Sequence, residues 1–209
     1  MSADNKIVVI GTSAGGVSAL QRLIARMHAD WRVSVFITIH IGRHRSLMPS
    51  ILNWHSSLPA RFAQHRMAFD RGILVAPPDR HLIIGKNATF LSAGPKENHA
   101  RPAIDPMFRS AARHHGPNVI GVLLTGYLYD GVNGLYDIQR SGGTTIVQDP
   151  TDAEVPQIPL NALRRLKPTH VLPLADIPKA IAQEIERSAS KETERLPSEG
   201  EKTPGAIHE

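Results

Sequence analysis

The sequence predicts an α/β fold with three layers, a doubly wound and mostly parallel sheet carrying an inserted β-hairpin. Three observations lead there. Short apolar runs of strand length alternate along the chain with segments of helical period. The first run, Ile7-Val8-Val9-Ile10, passes through a glycine-rich turn straight into a segment with Val17, Leu20, Leu23 and Met27 on one helical face. Near the middle of the chain two short strand-like runs flank a Gly-Lys-Asn turn, which reads as a hairpin rather than as a further strand–helix unit.

The elements follow in order. A second strand spans Val33 to Ile41, and residues 46–56 form a helix opened by Ser46 as its cap. Residues 72–77 are a buried strand. The hairpin pairs His81-Leu82-Ile83-Ile84 with Ala88-Thr89-Phe90-Leu91 across a turn at Gly85-Lys86-Asn87. Residues 105–115 are a helix stopped by Gly116-Pro117, and 118–126 is a continuous apolar strand whose exit loop reads Tyr127-Leu128-Tyr129-Asp130-Gly131. A helix over 132–140, a strand over 144–148, a short helix over 159–166, a strand over 170–174 and a helix over 177–188 complete one domain, residues 1–188. Residues 189–209 lose apolar periodicity and become rich in Glu, Lys, Ser and Pro, the composition of a disordered charged tail.

Composition narrows the function. The chain has 209 residues, enough for a sizeable single core. It has no cysteine, which excludes a disulfide framework, a thiol nucleophile and thiolate metal sites. The N-terminal MSADNK has no apolar signal region and no stretch is long enough for a membrane span, so a cytoplasmic protein without membrane insertion is expected. The net charge of +5 suits an acidic partner surface. Its basic residues are scattered apart from Arg43-His44-Arg45, and no nucleic-acid-binding motif is present. The 11 histidines show neither an H-E-x-x-H helix nor a cysteine–histidine pattern, so no metal and no cofactor is expected.

The turn at Gly11-Thr12-Ser13-Ala14-Gly15-Gly16 is the most specific local feature. Its G-x-S-x-G core can expose a serine hydroxyl above a sheet edge, with flanking glycines clearing the approach of a substrate. The helix behind it offers free N–H groups to a developing oxyanion. Two plainer explanations compete: a dinucleotide loop, or a glycine-rich connection without chemistry. A dinucleotide fingerprint needs glycine where Ser13 stands and a carboxylate at the end of the second strand, where this chain has His40. Both parts are missing. The three strands instead deliver Ser13, His40 and Asp130 at or just beyond their C-terminal ends, the ligand-binding edge of an open parallel sheet. Singly, His40 reads as a satisfied strand-end histidine and Asp130 as a cap for the helix over 132–140. Together they read as a nucleophile, a base and a residue that orients the base. Their chain order differs from the Ser…Asp…His order of α/β-hydrolases.

Most of residues 5–185 resembles the catalytic domain of the CheB family of chemotaxis protein-glutamate methylesterases. The resemblance rests on VVIGTSAGG with Ser13, TIHIGRH with His40, VAPPDRHL at 75–82, ENHARPAIDPMFRSAA at 97–112, VIGVLLTGYLYDG with Asp130, and GGTTIVQDP at 142–150. It implies that Ser13 attacks a methyl-esterified glutamate side chain, that His40 is its base and that Asp130 orients His40. The expected partner is the cytoplasmic domain of a methylated chemoreceptor or another protein substrate. Glutamine deamidation through the same intermediate is a further implied activity. The family commonly reads Gly-Met-Gly-Asn-Asp-Gly where this chain reads Gly126-Tyr127-Leu128-Tyr129-Asp130-Gly131, and the methionine N–H belongs to its oxyanion hole. By that correspondence the backbone N–H of Tyr127 is a candidate oxyanion donor, and the N–H of Ala14, in the turn ahead of the helix, is the other candidate. The first strand begins at Ile7, so the resemblance is to a stand-alone catalytic module without the usual receiver domain. Arg43 and Arg45 are expected on the rim of an open cleft. Two alternatives stay open: a serine esterase or amidase with a different substrate, and a catalytically silent protein-binding module.

Overall fold

The computed structural model describes residues 6–195 apart from 29, 30, 32 and 43. Seven strands form one fully parallel sheet: β1 (Ile7–Thr12), β2 (Ser34–Ile39), β3 (Ala60–Phe62), β5 (Gly72–Val75), β8 (Val119–Leu123), β9 (Thr144–Gln148) and β10 (His170–Leu172), in the spatial order β10-β9-β8-β1-β2-β5-β3. The two central strands are buried on both faces, which is why their sequences, Ile7-Val8-Val9-Ile10 and Val35-Phe36-Ile37, are continuously apolar. Side chains alternate between the two layers. Val8 and Ile10 pack with Leu20, Leu23 and Ile181 of α1 (Gly16–Ile24) and α6 (Ile177–Arg195). Ile7 and Val9 pack with Phe108, Leu135 and Ala162 of α3 (Ile104–His115), α4 (Val132–Arg140) and α5 (Gln157–Arg165). The expected three-layer, doubly wound architecture is the observed one.

The hairpin forms as expected, β6 (His81–Ile84) against β7 (Ala88–Ser92), but it stands outside the main sheet. With the two-residue β4 (Met67–Ala68) it makes a separate antiparallel sheet, fastened to the α3 layer by Leu82 and Ile84. Strand β3 has no counterpart among the expected elements, being too short to leave a periodic signal. The Asn53 side chain sets its start by bonding both the N–H and the carbonyl of Ala60 at 2.8 and 2.9 Å.

Other boundaries shift for local reasons. The helix expected over 46–56 is only α2 (Met48–Asn53), because Pro49 favours the first helical turn; Ser46 Oγ still accepts the Met48 N–H at 3.1 Å. Helix α5 begins at Gln157, ahead of the expected 159, since Pro159 falls within the first turn, where a missing N–H costs nothing. β8 ends at Leu123, and residues 124–126 bond Gly11 and Val155 instead of continuing the ladder. Helix α6 continues to Arg195, into the segment expected to be a disordered tail; residues 196–209 lie outside the described residues.

Candidate active site

The order in which strands are added reverses between β1 and β8, which run parallel: from β1 the chain moves to β2 on one side and only later returns to β8 on the other. Ligands of open α/β sheets bind at the carboxyl end of such a switch point. Two segments leave the sheet there, and Thr125 ties them together. Its carbonyl accepts the Ser13 N–H and the Thr12 hydroxyl, both at 3.0 Å. Its own hydroxyl donates to the Ala14 carbonyl at 3.0 Å and accepts the Val155 N–H at 2.8 Å. The serine turn is thereby clamped on both sides of Ser13. Gly15 then enters the left-handed region at φ 76° to start α1. Gly11 serves packing, not the substrate access expected of it. A Cβ there would lie 2.3 Å from Ile104 Cγ2, so this glycine allows β1 to touch α3 and does not clear a substrate path.

Ser13 Oγ lies 2.9 Å from His40 Nδ1, and His40 Nε2 lies 2.7 Å from Asp130 Oδ2. The carboxylate only accepts, so Nε2 carries the imidazole proton, leaving Nδ1 to accept from the serine hydroxyl. The serine side therefore uses Nδ1, the reverse of the serine-protease arrangement, in which the serine faces Nε2 and the aspartate Nδ1. Exposure grades along the array: the His40 side chain is 23% exposed and the Asp130 side chain 2%.

Asp130 does not cap α4, whose N-cap is Gly131. It binds the start of a different helix. Oδ2 also accepts the Ile104 N–H at 2.7 Å, while Oδ1 accepts the Asp105 N–H at 3.1 Å and Asn98 Nδ2 at 2.6 Å. The four acceptor sites of one carboxylate are filled. Burial works against its charge, but the bonds from His40, Ile104 and Asn98 outweigh that and hold Asp130 below the usual carboxylate range.

A cleft of about 330 Å³ opens over Ser13 and His40, walled by Asn98, Arg101 and the 127–129 loop. Leu128 stands where the resemblance placed a glycine, and it keeps a glycine-like backbone at φ 67°. Two bonds from α5 hold it there: Leu128 N–H to Gln157 Oε1 at 3.0 Å and Asn161 Nδ2 to the Leu128 carbonyl at 2.6 Å. Tyr127, Leu128 and Tyr129 are each about half exposed on the rim, at 58%, 55% and 47%. No hydrogen bond is donated by Ala14 N or Tyr127 N among the described residues. Arg43 lies outside the described residues. Arg45 is exposed and does not line the cleft, whose basic groups besides His40 are Lys96, His99 and Arg101. No group of three or more His, Asp or Glu arranged for a metal occurs among the described residues. No helix there is long and apolar enough to cross a membrane.

Reading motifs alone missed Thr125, Asn98, Asp105, Gln157 and Asn161. Asn98 and Asp105 sat in one segment already singled out, 97–112, and Thr125 in another, 119–131; Gln157 and Asn161 sat in neither.

The sequence profile of the CheB methylesterase family matches residues 8–181. The chain belongs to the CheB methylesterase family. A Leptospira interrogans relative is 35% identical over 173 residues, covering 81% of this chain and 90% of that protein. The protein-glutamate methylesterase/protein-glutamine glutaminase 2 of Caulobacter vibrioides is 38% identical over 84% of this chain, which spans 52% of that longer protein. Among solved structures, the Thermotoga maritima CheB methylesterase catalytic domain superposes with a TM-score of 0.80 at 29% identity, covering 88% of this chain and 98% of that one. Family membership thus extends through both the sheet and the loops that build the cleft.

Proposed function

We propose that this CheB-family chain hydrolyses glutamyl methyl esters on a protein substrate, the cytoplasmic domain of a methylated chemoreceptor. The hydrogen-bonded sequence Ser13 Oγ–His40–Asp130 at the switch point carries the reading. Ser13 Oγ attacks the ester carbonyl carbon as His40 Nδ1 takes its proton. The tetrahedral oxyanion is received by the N–H groups of Ala14 and Tyr127, neither of which serves a protein acceptor among the described residues. The proton passes from His40 to the departing methoxide, releasing methanol and leaving an acyl-enzyme. Water, deprotonated by His40, then frees the glutamate carboxylate and restores Ser13. Asp130 fixes the tautomer and stabilises the imidazolium in both halves. A glutamine side chain enters the same cycle with ammonia as leaving group, which fits the glutaminase half of the relatives' names.

The deciding experiment is methanol release from methylated chemoreceptor, with Ser13→Ala as control. Release by the wild-type chain and none by the variant supports the reading. Hydrolysis of simple esters without methanol release points to a different ester substrate, and inertness toward both points to a protein-binding module.

A further inference from the structure

Behind the Ser13–His40–Asp130 array lies a second buried carboxylate with no part in the reaction as written. Asp105, 4% exposed, accepts the Gly134 N–H at 2.7 Å through Oδ1. Its Oδ2 faces Asn98, and Asn98 Nδ2 donates to both carboxylates, at 2.8 Å to Asp105 and 2.6 Å to Asp130. One amide nitrogen has two protons, and each carboxylate receives one. Placed the other way round, the amide oxygen would face two anions.

The backbone is bent to make this possible. Asn98 and His99 are consecutive non-glycine residues at φ 49° and 64°, a conformation that persists only where its surroundings impose it. The surroundings do so. Glu97 and Ala100 exchange backbone hydrogen bonds at 3.2 and 2.9 Å. Arg109 grips both oxygens of Glu97 at 3.0 and 3.1 Å. Arg101 binds Asp79 and the carbonyls of Ala93 and Gly94. A strained turn pinned at three points delivers one amide between two buried acids.

Two carboxylates this close in a low-dielectric site cannot both ionise freely. Burial and the neighbouring Asp130 charge push Asp105 up, whereas Asp130 is held down. Which acid carries the negative charge matters, because a protonated Asp130 would no longer be a full acceptor for the His40 N–H.

We propose that Asn98, backed by Asp105, is a positioning residue for the reaction: its amide holds the far oxygen of Asp130, so that the carboxylate stays ionised and aimed at His40. The inference rests on the proposed hydrolase reading for its kinetic consequence, but not for its effect on Asp130 itself.

Two variants test it. Asn98→Gly removes the amide and keeps a left-handed backbone available; Asn98→Asp keeps the side-chain shape and replaces two donors by acceptors. The titratable groups facing Asp130 are His40 at the end of β2 and Asp105 at the start of α3, with Arg109 acting on Asp105. Lys96, His99 and Arg101 line the cleft. Asn98→Gly alters none of these charges. The first readout is the carboxyl ¹³C titration of Asp130 in the ligand-free protein, which requires no activity. Losing a donor to the charged form raises an acid's pKa, so the midpoint is expected to rise by about one pH unit in Asn98→Gly and further in Asn98→Asp. The second is the pH profile of p-nitrophenyl acetate hydrolysis. There kcat is expected to fall about tenfold or more, KM to stay within about twofold, and the acid limb to move to higher pH. An Asp130 midpoint within about 0.2 units of wild type in both variants overturns the proposal. So does lost activity with an unshifted acid limb, or failure of both variants to fold, since each marks a merely structural residue. If wild type turns over no ester while the Asp130 midpoint still moves, the hydrolase reading fails and the Asn98–Asp130 coupling stands.

Discussion

Asp130 and Ile104 are joined at 2.7 Å by the same carboxylate oxygen that faces His40, so the acid bonded to His40 is also the anchor for the start of α3. A helix N-terminus favours a nearby anion, and two of its otherwise unpaired N–H groups are satisfied here by one side chain from a distant loop. Helix α3 in turn packs Phe108 and Ile104 beneath β1. The chemistry at the sheet edge and the packing below it therefore share one residue.

That sharing separates two substitutions that are both expected to abolish activity. Asp130→Ala leaves the buried N–H groups of Ile104 and Asp105 without their acceptor and is expected to lower stability by about 2–4 kcal/mol. Its turnover should fall about a thousandfold or more. Ser13→Ala removes one hydroxyl from a turn held by backbone and Thr125 contacts, and should leave stability within about 0.5 kcal/mol of wild type. Urea unfolding of both variants beside the wild type checks the contrast. Equal stability of the two would show that Asp130 does not anchor α3.

The paired acids predict opposite pH dependences. Asp130, held low, contributes stability that is present above the ordinary carboxylate value of about 3.9 and is lost as pH falls through its folded value. Asp105 is held high, chiefly by burial, with the Asp130 charge adding to the effect. Between about pH 3.9 and its raised folded value the folded state binds the extra proton, so its contribution weakens as pH rises through that window. Replacing it by asparagine removes this penalty. The stability of Asp105→Asn relative to wild type should therefore improve from acid toward neutral pH, measured by denaturant midpoints across that range. A constant difference would mean that Asp105 titrates alike in the folded and unfolded states.

Much of this was legible in the sequence because it depends on local pattern. Continuous apolar runs identified the central strands, and places at strand ends picked out Ser13, His40 and Asp130, which the fold joins in one hydrogen-bonded array. What stayed hidden was the joinery between segments far apart in sequence. Thr125 binds Ala14 across 111 positions, and nothing in a threonine after an apolar strand announces that. Asn98 is similar: its role depends on two acids reached only after the chain turns back. Asp130 was readable both as an orienting acid and as a helix cap; it does bind a helix start, but that of α3. Strand β3 was lost because three residues, Ala60-Arg61-Phe62, are too few to show a period.

Leu128 carries a conformational cost that can be measured. A non-glycine residue in the left-handed region pays about 1 kcal/mol in steric crowding, and its half-exposed side chain recovers little by burial. Leu128→Gly relieves the crowding, offset in part by the greater entropy of glycine in the unfolded chain. A net gain of about 0.5 kcal/mol is expected, read as a higher unfolding midpoint. A drop in stability would mean that the exposed leucine side chain makes a stabilising contact outweighing the strain.

Reactivity of Ser13 offers a test that needs no knowledge of the natural substrate. Its hydroxyl already lies 2.9 Å from His40 Nδ1 beneath an open cleft of about 330 Å³. A fluorophosphonate requires only an activated serine and donors for the developing oxyanion, so the isolated chain should be labelled without an activator. Intact-protein mass spectrometry should find one adduct, mapped to Ser13 and absent from Ser13→Ala. His40→Ala should slow labelling at least about a hundredfold, the usual contribution of a positioned base. Labelling at the same rate in His40→Ala would remove the histidine from the mechanism. Complete inertness of the wild-type chain from about pH 6 to 9 would favour a binding module, because an assembled serine–histidine pair should react within that range.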